Sequence, residues 1–112
     1  MRVFVRKLMP DIYRKQDSGV REDLKSRTDK PKLFRVLLHN DDYTTMEFVT
    51  VVLETIFEKS PAEAYGIMMK VHTIGVGVAG IYVFEVAETK VALARDAAND
   101  AGFPLRCTID SE

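Results

Sequence analysis

The sequence predicts an α+β two-layer sandwich: a small antiparallel three-stranded sheet with three helices on one face, in the order β-α-α-β-α-β. Three observations carry this prediction. Short apolar runs bounded by turn residues alternate with stretches of helical spacing. Two helix-start signatures, Thr44-x-x-Glu47 and Ser60-Pro61-x-Glu63, follow one another closely. The chain has 112 residues, 46% apolar and 29% charged, the balance of one globular domain. Three strands alone are not stable and need helices packed against them.

The first strand follows Pro31. Leu33, Phe34, Val36, Leu37 and Leu38 form a short apolar run broken only by Arg35, and it stops at Asn40-Asp41-Asp42. Thr44 is the predicted N-cap of the first helix, with Glu47 at N3. Met46, Val49, Val52, Leu53, Ile56 and Phe57 then recur at helical spacing. Ser60-Pro61-x-Glu63 starts a second helix whose apolar face is Ala64, Ile67, Met68 and Val71 and which is predicted to end at His72. So few residues join the two helices that they must form a tight corner. Ile74, Val76 and Val78 alternate with glycine, and Tyr82, Phe84 and Val86 continue the alternation, which reads as a strand bent at a glycine. Residues 88–101 are Ala-rich and helical, with Gly102 as the closing residue and Pro104 preventing continuation. Leu105, Cys107 and Ile109 alternate with Arg106 and Thr108 in a last strand.

Residues 1–31 read as a flexible basic extension ahead of a core domain of residues 32–112. From Arg14 to Lys30 nearly every residue is polar, too little apolar surface to offset the entropy of ordering. Val3, Phe4, Val5 and Leu8 suit a short strand or docking segment, and Pro10 stops a helix there. The net charge of −1 divides unevenly. Residues 1–30 hold nine Lys/Arg against five Asp/Glu, and residues 31–112 hold seven against twelve. An acidic core disfavours nucleic acid and suits either simple solubility or a cationic ligand. No apolar run approaches the ~20 residues of a membrane span, and the start lacks an apolar stretch of signal-peptide length. The single cysteine, Cys107, cannot form an internal disulfide, which fits a reducing cytoplasm.

The unusual cluster is His39-Asn40-Asp41-Asp42-Tyr43, at the junction of strand and helix. Two readings stand side by side. The carboxylates serve the helix dipole and cap a turn, or Asn40 and Asp41 present oxygens to an ammonium group, where charge-assisted bonds are strong. His39, Asp41, Asp42 and His72 include metal-ligand types, but their spacing matches no metal motif, and no cofactor is expected. Cys107 reads as core rather than nucleophile. The glycines of Gly75-Val76-Gly77-Val78-Ala79-Gly80 follow a helix and lack the Lys-Ser/Thr of a phosphate loop. Met46, Met68 and Met69 are either core filler or the wall of a pliable apolar pocket between the first two helices.

Five blocks then stand in order: Asn40-Asp41-Asp42-Tyr43-Thr44; Met46-Glu47-Phe48-Val49; Met68 with Val71-His72; Glu85-Val86-Ala87-Glu88-Thr89-Lys90; and Pro104-Leu105-x-Cys107-Thr108. Together they resemble the ClpS family, bacterial adaptors of the N-end rule pathway, over roughly residues 32–110. The resemblance implies a monomeric, non-enzymatic adaptor. It would bind substrates that carry N-degrons, with a free α-amino group on Leu, Phe, Tyr or Trp, and deliver them to a ClpA-type unfoldase with its ClpP peptidase. It implies α-amino contacts from Asn40, Asp41 and His72. It implies a side-chain pocket lined or rimmed by Thr44, Met46, Val49, Met68, Val71 and Leu105, with Met46 as the gate against β-branched residues. It implies unfoldase docking through Glu85 and Lys90. Thr45 departs from the family pattern, which usually has proline there, and Met69 stands where a leucine is usual.

Two other classes remain as alternatives. A structural interaction domain would modulate the unfoldase without reading an N-terminus. A small metal-dependent hydrolase would use His39, Asp41, Asp42 and His72.

Overall fold

The computed structural model describes residues 30–112, so the predictions for residues 1–29, including the segment from Val3 to Leu8, lie outside the described residues. The elements are β1 (Leu33–His39), α1 (Met46–Thr55), α2 (Pro61–Ile74), β2 (Val76–Val83), α3 (Phe84–Ala101) and β3 (Arg106–Ser111). The sheet is antiparallel with order β2-β1-β3, so the most apolar strand is central. Along β1, Val36 and Leu38 are fully buried, while Leu33 is exposed and Arg35, Leu37 and His39 are only partly covered. This follows from period-2 alternation on a sheet with one covered face.

The core joins both layers. Val36 and Leu38 from β1 lie with Val49, Val52 and Leu53 of α1, Ala64, Met68 and Val71 of α2, and Ala87, Val91, Ala94 and Ala98 of α3. The alanine stripe of α3 gives that helix a smooth buried side on which the sheet packs closely. Cys107 of β3 is fully buried here, and burial, only partly offset by Arg95, pushes its thiol up to about 11. It is a core residue that stays protonated at neutral pH.

The second cap forms as predicted. The Ser60 hydroxyl accepts from the Glu63 N–H, and the Glu63 carboxylate accepts in return from the Ser60 N–H. The first cap is shifted by one residue. Thr45, not Thr44, is the N-cap of α1, and its hydroxyl accepts from the Phe48 N–H at 3.1 Å. Thr44 is diverted because its hydroxyl donates to the Asp41 carboxylate instead. A threonine at position 45 therefore supplies a side-chain cap that proline cannot.

The corner between α1 and α2 turns through Glu58, which adopts a left-handed φ of 54°. It is closed by Lys90 of α3. The Lys90 ammonium donates to the Ile56 carbonyl at 2.7 Å and lies 5.3 Å from the centroid of the Tyr82 ring. A cation at the C-terminal end of α1 also complements the helix dipole.

Two further boundaries differ from the sequence prediction. The second helix continues past His72 to Ile74, and Gly75 closes it with φ 105°, a backbone that glycine adopts without cost. The strand ends at Val83, so Phe84 and Val86 begin α3 rather than continuing β2. Their alternation mimics strand, and Val83 offers no side-chain cap to announce a helix. Within β2, Gly77 and Ala79 point inward, whereas Val76 and Val78 are 36% and 38% exposed. The small residues sit inside because α2 lies close. A Cβ on Gly77 would come within 2.8 Å of the Val71 side chain and 3.1 Å of the Ile67 carbonyl. The predicted bend is a β-bulge: the partners of Val36 and Leu37 are Gly80 and Val78, which leaves Ala79 as the extra residue.

Candidate functional site

A cleft of about 380 Å³ opens where the end of β1, the start of α1 and the end of α2 meet. Its walls divide chemically. On one side the β1–α1 loop supplies Asn40, Asp41, Asp42 and Tyr43, and α2 contributes His72. On the other, Met46 and Val49 of α1 face Met68 and Val71 of α2, with Thr44 and Thr45 between the two sides. Val49, Met68 and Val71 are buried, whereas Met46 is 46% exposed at the mouth.

The backbone explains why residues so distant in sequence converge. The Asn40 N–H donates to the Gly75 carbonyl at 2.9 Å, and His39 pairs with Val76 across the sheet. That bond ties the end of β1 to the cap of α2, and His72 lies one turn before this cap. Gly75 and Gly77 together let the helix end and return along the sheet at this point, which carries His72 to the loop.

Asp41 is the most constrained side chain of the cleft. Its Oδ1 accepts from the Tyr43 N–H at 2.8 Å and from the Thr44 N–H at 2.7 Å. Its Oδ2 accepts from the Thr44 hydroxyl at 2.6 Å. Partial burial pushes the carboxyl up, but these three bonds outweigh it and hold Asp41 below the usual carboxylate range. Asp41 is therefore an anion at neutral pH. A carboxylate has about four acceptor positions, so one remains for a ligand. The three bonds show the turn-capping role of Asp41 directly.

Seven of the residues singled out from sequence line this one cleft: Asn40, Asp41 and His72 on the polar side, and Met46, Val49, Met68 and Val71 on the apolar side. Thr44 lines it too, with its hydroxyl engaged by Asp41. Leu105 does not line it. Leu105 is buried in the core just before β3 and edges a separate depression with Arg95, Asn99 and Phe103. Asp42, expected as a ligand only under the hydrolase alternative, lines the cleft as well, as do Tyr43 and Thr45, to which no contact had been assigned. Tyr43 is 75% exposed, and its signal was its place inside the loop that carries Asn40 and Asp41.

The remaining positions separate from the cleft. His39 is turned to β3, where its Nε2 lies 2.8 Å from the Thr108 hydroxyl. Burial, and then the Arg106 charge, lower its pKa. It does not line the cleft, so the hydrolase alternative loses one of its four ligands. Among the described residues no group of three or more His, Cys, Asp or Glu is placed to hold a metal ion. Glu85 is exposed in the first turn of α3, but Lys90 is only 8% exposed. The amine expected at a docking surface is instead spent on Ile56, because the helical register of α3 points position 90 into the corner.

No described helix is long and apolar enough to cross a membrane. Residues 29–108 match the family model of the ATP-dependent Clp protease adaptor protein ClpS. The adapter protein ClpS of Desulfatibacillum aliphaticivorans is 56% identical over 86 residues, covering 77% of this chain and 83% of that protein. The ClpS of Maricaulis maris is 54% identical over 97 residues, covering 87% and 89%. A solved structure of Agrobacterium tumefaciens ClpS2 bound to L-phenylalaninamide aligns with a TM-score of 0.71 and 44% identity, over 74% of this chain and all of that one.

Proposed function

The chain belongs to the ClpS family of Clp protease adaptors, and from that premise we propose that its cleft reads the N-terminal residue of substrate proteins. Asn40, Asp41 and His72 take the free α-amino group. Met46, Val49, Met68 and Val71 enclose a large apolar side chain: Leu, Phe, Tyr or Trp. The observation that carries this reading is the division of the cleft, in which a fixed carboxylate stands beside an apolar recess between two helices. The L-phenylalaninamide held by the Agrobacterium relative has this chemistry, an amine next to a bulky apolar group.

The energetics match a small ligand. Burying a Leu or Phe side chain is worth about 1.5–3 kcal/mol. Each hydrogen bond to the ammonium adds about 1.5–3 kcal/mol before the cost of association. Micromolar binding then needs both halves. His72 contributes a ring nitrogen that accepts a hydrogen bond from the ammonium. Met46 stands at the mouth and rejects a side chain branched at Cβ by collision, a specificity built on exclusion.

We further propose a monomeric, non-catalytic protein that acts in the cytoplasm with a ClpA-type unfoldase and ClpP. Exposed Glu85 contributes to docking, and Lys90 acts only by holding the corner beneath it. The test is degradation of a folded reporter beginning with Phe by purified ClpA-type unfoldase and ClpP. Degradation should accelerate on adding this chain, and N-acetylation of the reporter should abolish the gain. Equal acceleration of both reporters would favour an interaction domain that modulates the unfoldase without reading the N-terminus.

A further inference from the structure

We propose that Thr44 is the positioning residue of the amine site. Its hydroxyl fixes the second oxygen of Asp41 and so leaves one acceptor for the ligand's ammonium. This rests on the reading of the cleft given above and assigns Thr44 a task other than lining an apolar pocket.

The argument begins with what the turn itself requires. The two N–H groups of Tyr43 and Thr44 both bond Oδ1 of Asp41, and those two bonds satisfy the backbone ahead of α1. Oδ2 is not needed for the turn. A carboxylate held through a single oxygen keeps a broad, two-fold terminal torsion. The Thr44 hydroxyl removes that freedom, because it donates to Oδ2 at 2.6 Å. Thr44 is also released from capping. Thr45 takes over as N-cap of α1, so the Thr44 hydroxyl is free to serve Asp41. Three of the roughly four acceptor positions are then occupied, and the fourth, on Oδ2, is left to an incoming donor. A pre-oriented acceptor spares the ligand the cost of ordering it.

The hydroxyl also helps keep the carboxylate ionised. The other titratable groups at the cleft are Asp42 and Tyr43 in the same loop and His72 on α2, with Glu47 in the first turn of α1. An effect of Thr44 on Asp41 must therefore be read at Asp41 itself. The experiment uses the full chain as wild type, Thr44→Ser and Thr44→Val. Asp41 is titrated through its carboxyl carbon by NMR, and a labelled peptide beginning with Phe is bound at each pH.

Thr44→Val should move the Asp41 titration to higher pH, weaken the peptide roughly tenfold, and shift the acid limb of binding in step with Asp41. Thr44→Ser should restore all three. If the Asp41 titration and peptide affinity of Thr44→Val match wild type, the role of Thr44 is overturned while N-terminal recognition stands. If the wild-type chain ignores the peptide, the reading of the cleft is overturned with the role built on it.

Discussion

Replacing Lys90 with methionine separates a buried structural amine from a docking contact. Methionine keeps the apolar stem and removes only the charge and its donors. The wild-type ammonium donates to the Ile56 carbonyl at 2.7 Å and lies 5.3 Å and 6.0 Å from the centroids of Tyr82 and Phe57. A hydrogen bond from a charged donor is worth about 1.5–3 kcal/mol, and the ring contacts add about 0.5–2 kcal/mol. Against this stands the cost of keeping a cation out of water. That cost is visible in the lowered pKa of Lys90, caused first by burial, with Glu58 raising it and Lys59 lowering it further. The opposing terms leave a net destabilisation of about 1–2 kcal/mol. For a domain of this size that lowers Tm by about 4–16 °C. Thermal unfolding followed by circular dichroism reads it, with exposed Glu85→Ala as a control expected to stay within about 0.5 kcal/mol. An unchanged Tm for Lys90→Met, together with lost unfoldase binding, would refute the reasoning and return Lys90 to the surface.

Asp41→Ala should weaken a free-amine Phe peptide by about 1.5–3 kcal/mol, ten- to hundredfold, measured by titration calorimetry. Met46→Ala should admit peptides beginning with Ile or Val, and unchanged rejection in a competition assay would remove Met46 as the gate. Leu53→Ala deletes a fully buried core side chain and should cost about 2–5 kcal/mol in urea unfolding. For pH, the Asp41 pKa lies lower in the folded chain than its ordinary value. Its contribution to stability is therefore complete above the ordinary carboxylate value and is lost as pH falls through the lowered folded one.

Much of the fold was legible because its signals are local. Ser60-Pro61-x-Glu63 carries its own cap, and the apolar run of β1 can only be central. The misplaced boundaries arise where local signals compete. Thr44 and Thr45 both suit an N-cap, and the choice is made by Asp41, which lies outside the capping pattern and captures the Thr44 hydroxyl. Phe84 and Val86 keep the alternation of β2 although they are helical, and nothing in the residue types at Val83 announces the change. The site was legible in part for a different reason. Asn40 and Asp41 stand out within one turn, but nothing in spacing brings His72 to them. The link is a backbone bond from Asn40 to Gly75 and the close passage of Gly77 under α2, so the resemblance to a known family supplied what periodicity could not. Leu105 and Lys90 carry the same lesson. A matching residue type fixes neither which way the side chain points nor what it touches.

The most direct test of N-terminal recognition is fluorescence anisotropy of labelled peptides that differ only at their first residue: Phe, Leu, Ile and N-acetyl-Phe. The cleft predicts saturable binding of Phe and Leu at micromolar concentration or below, with Ile and N-acetyl-Phe rejected. Equal binding of Phe and N-acetyl-Phe would contradict the assignment of Asn40, Asp41 and His72 to the α-amino group.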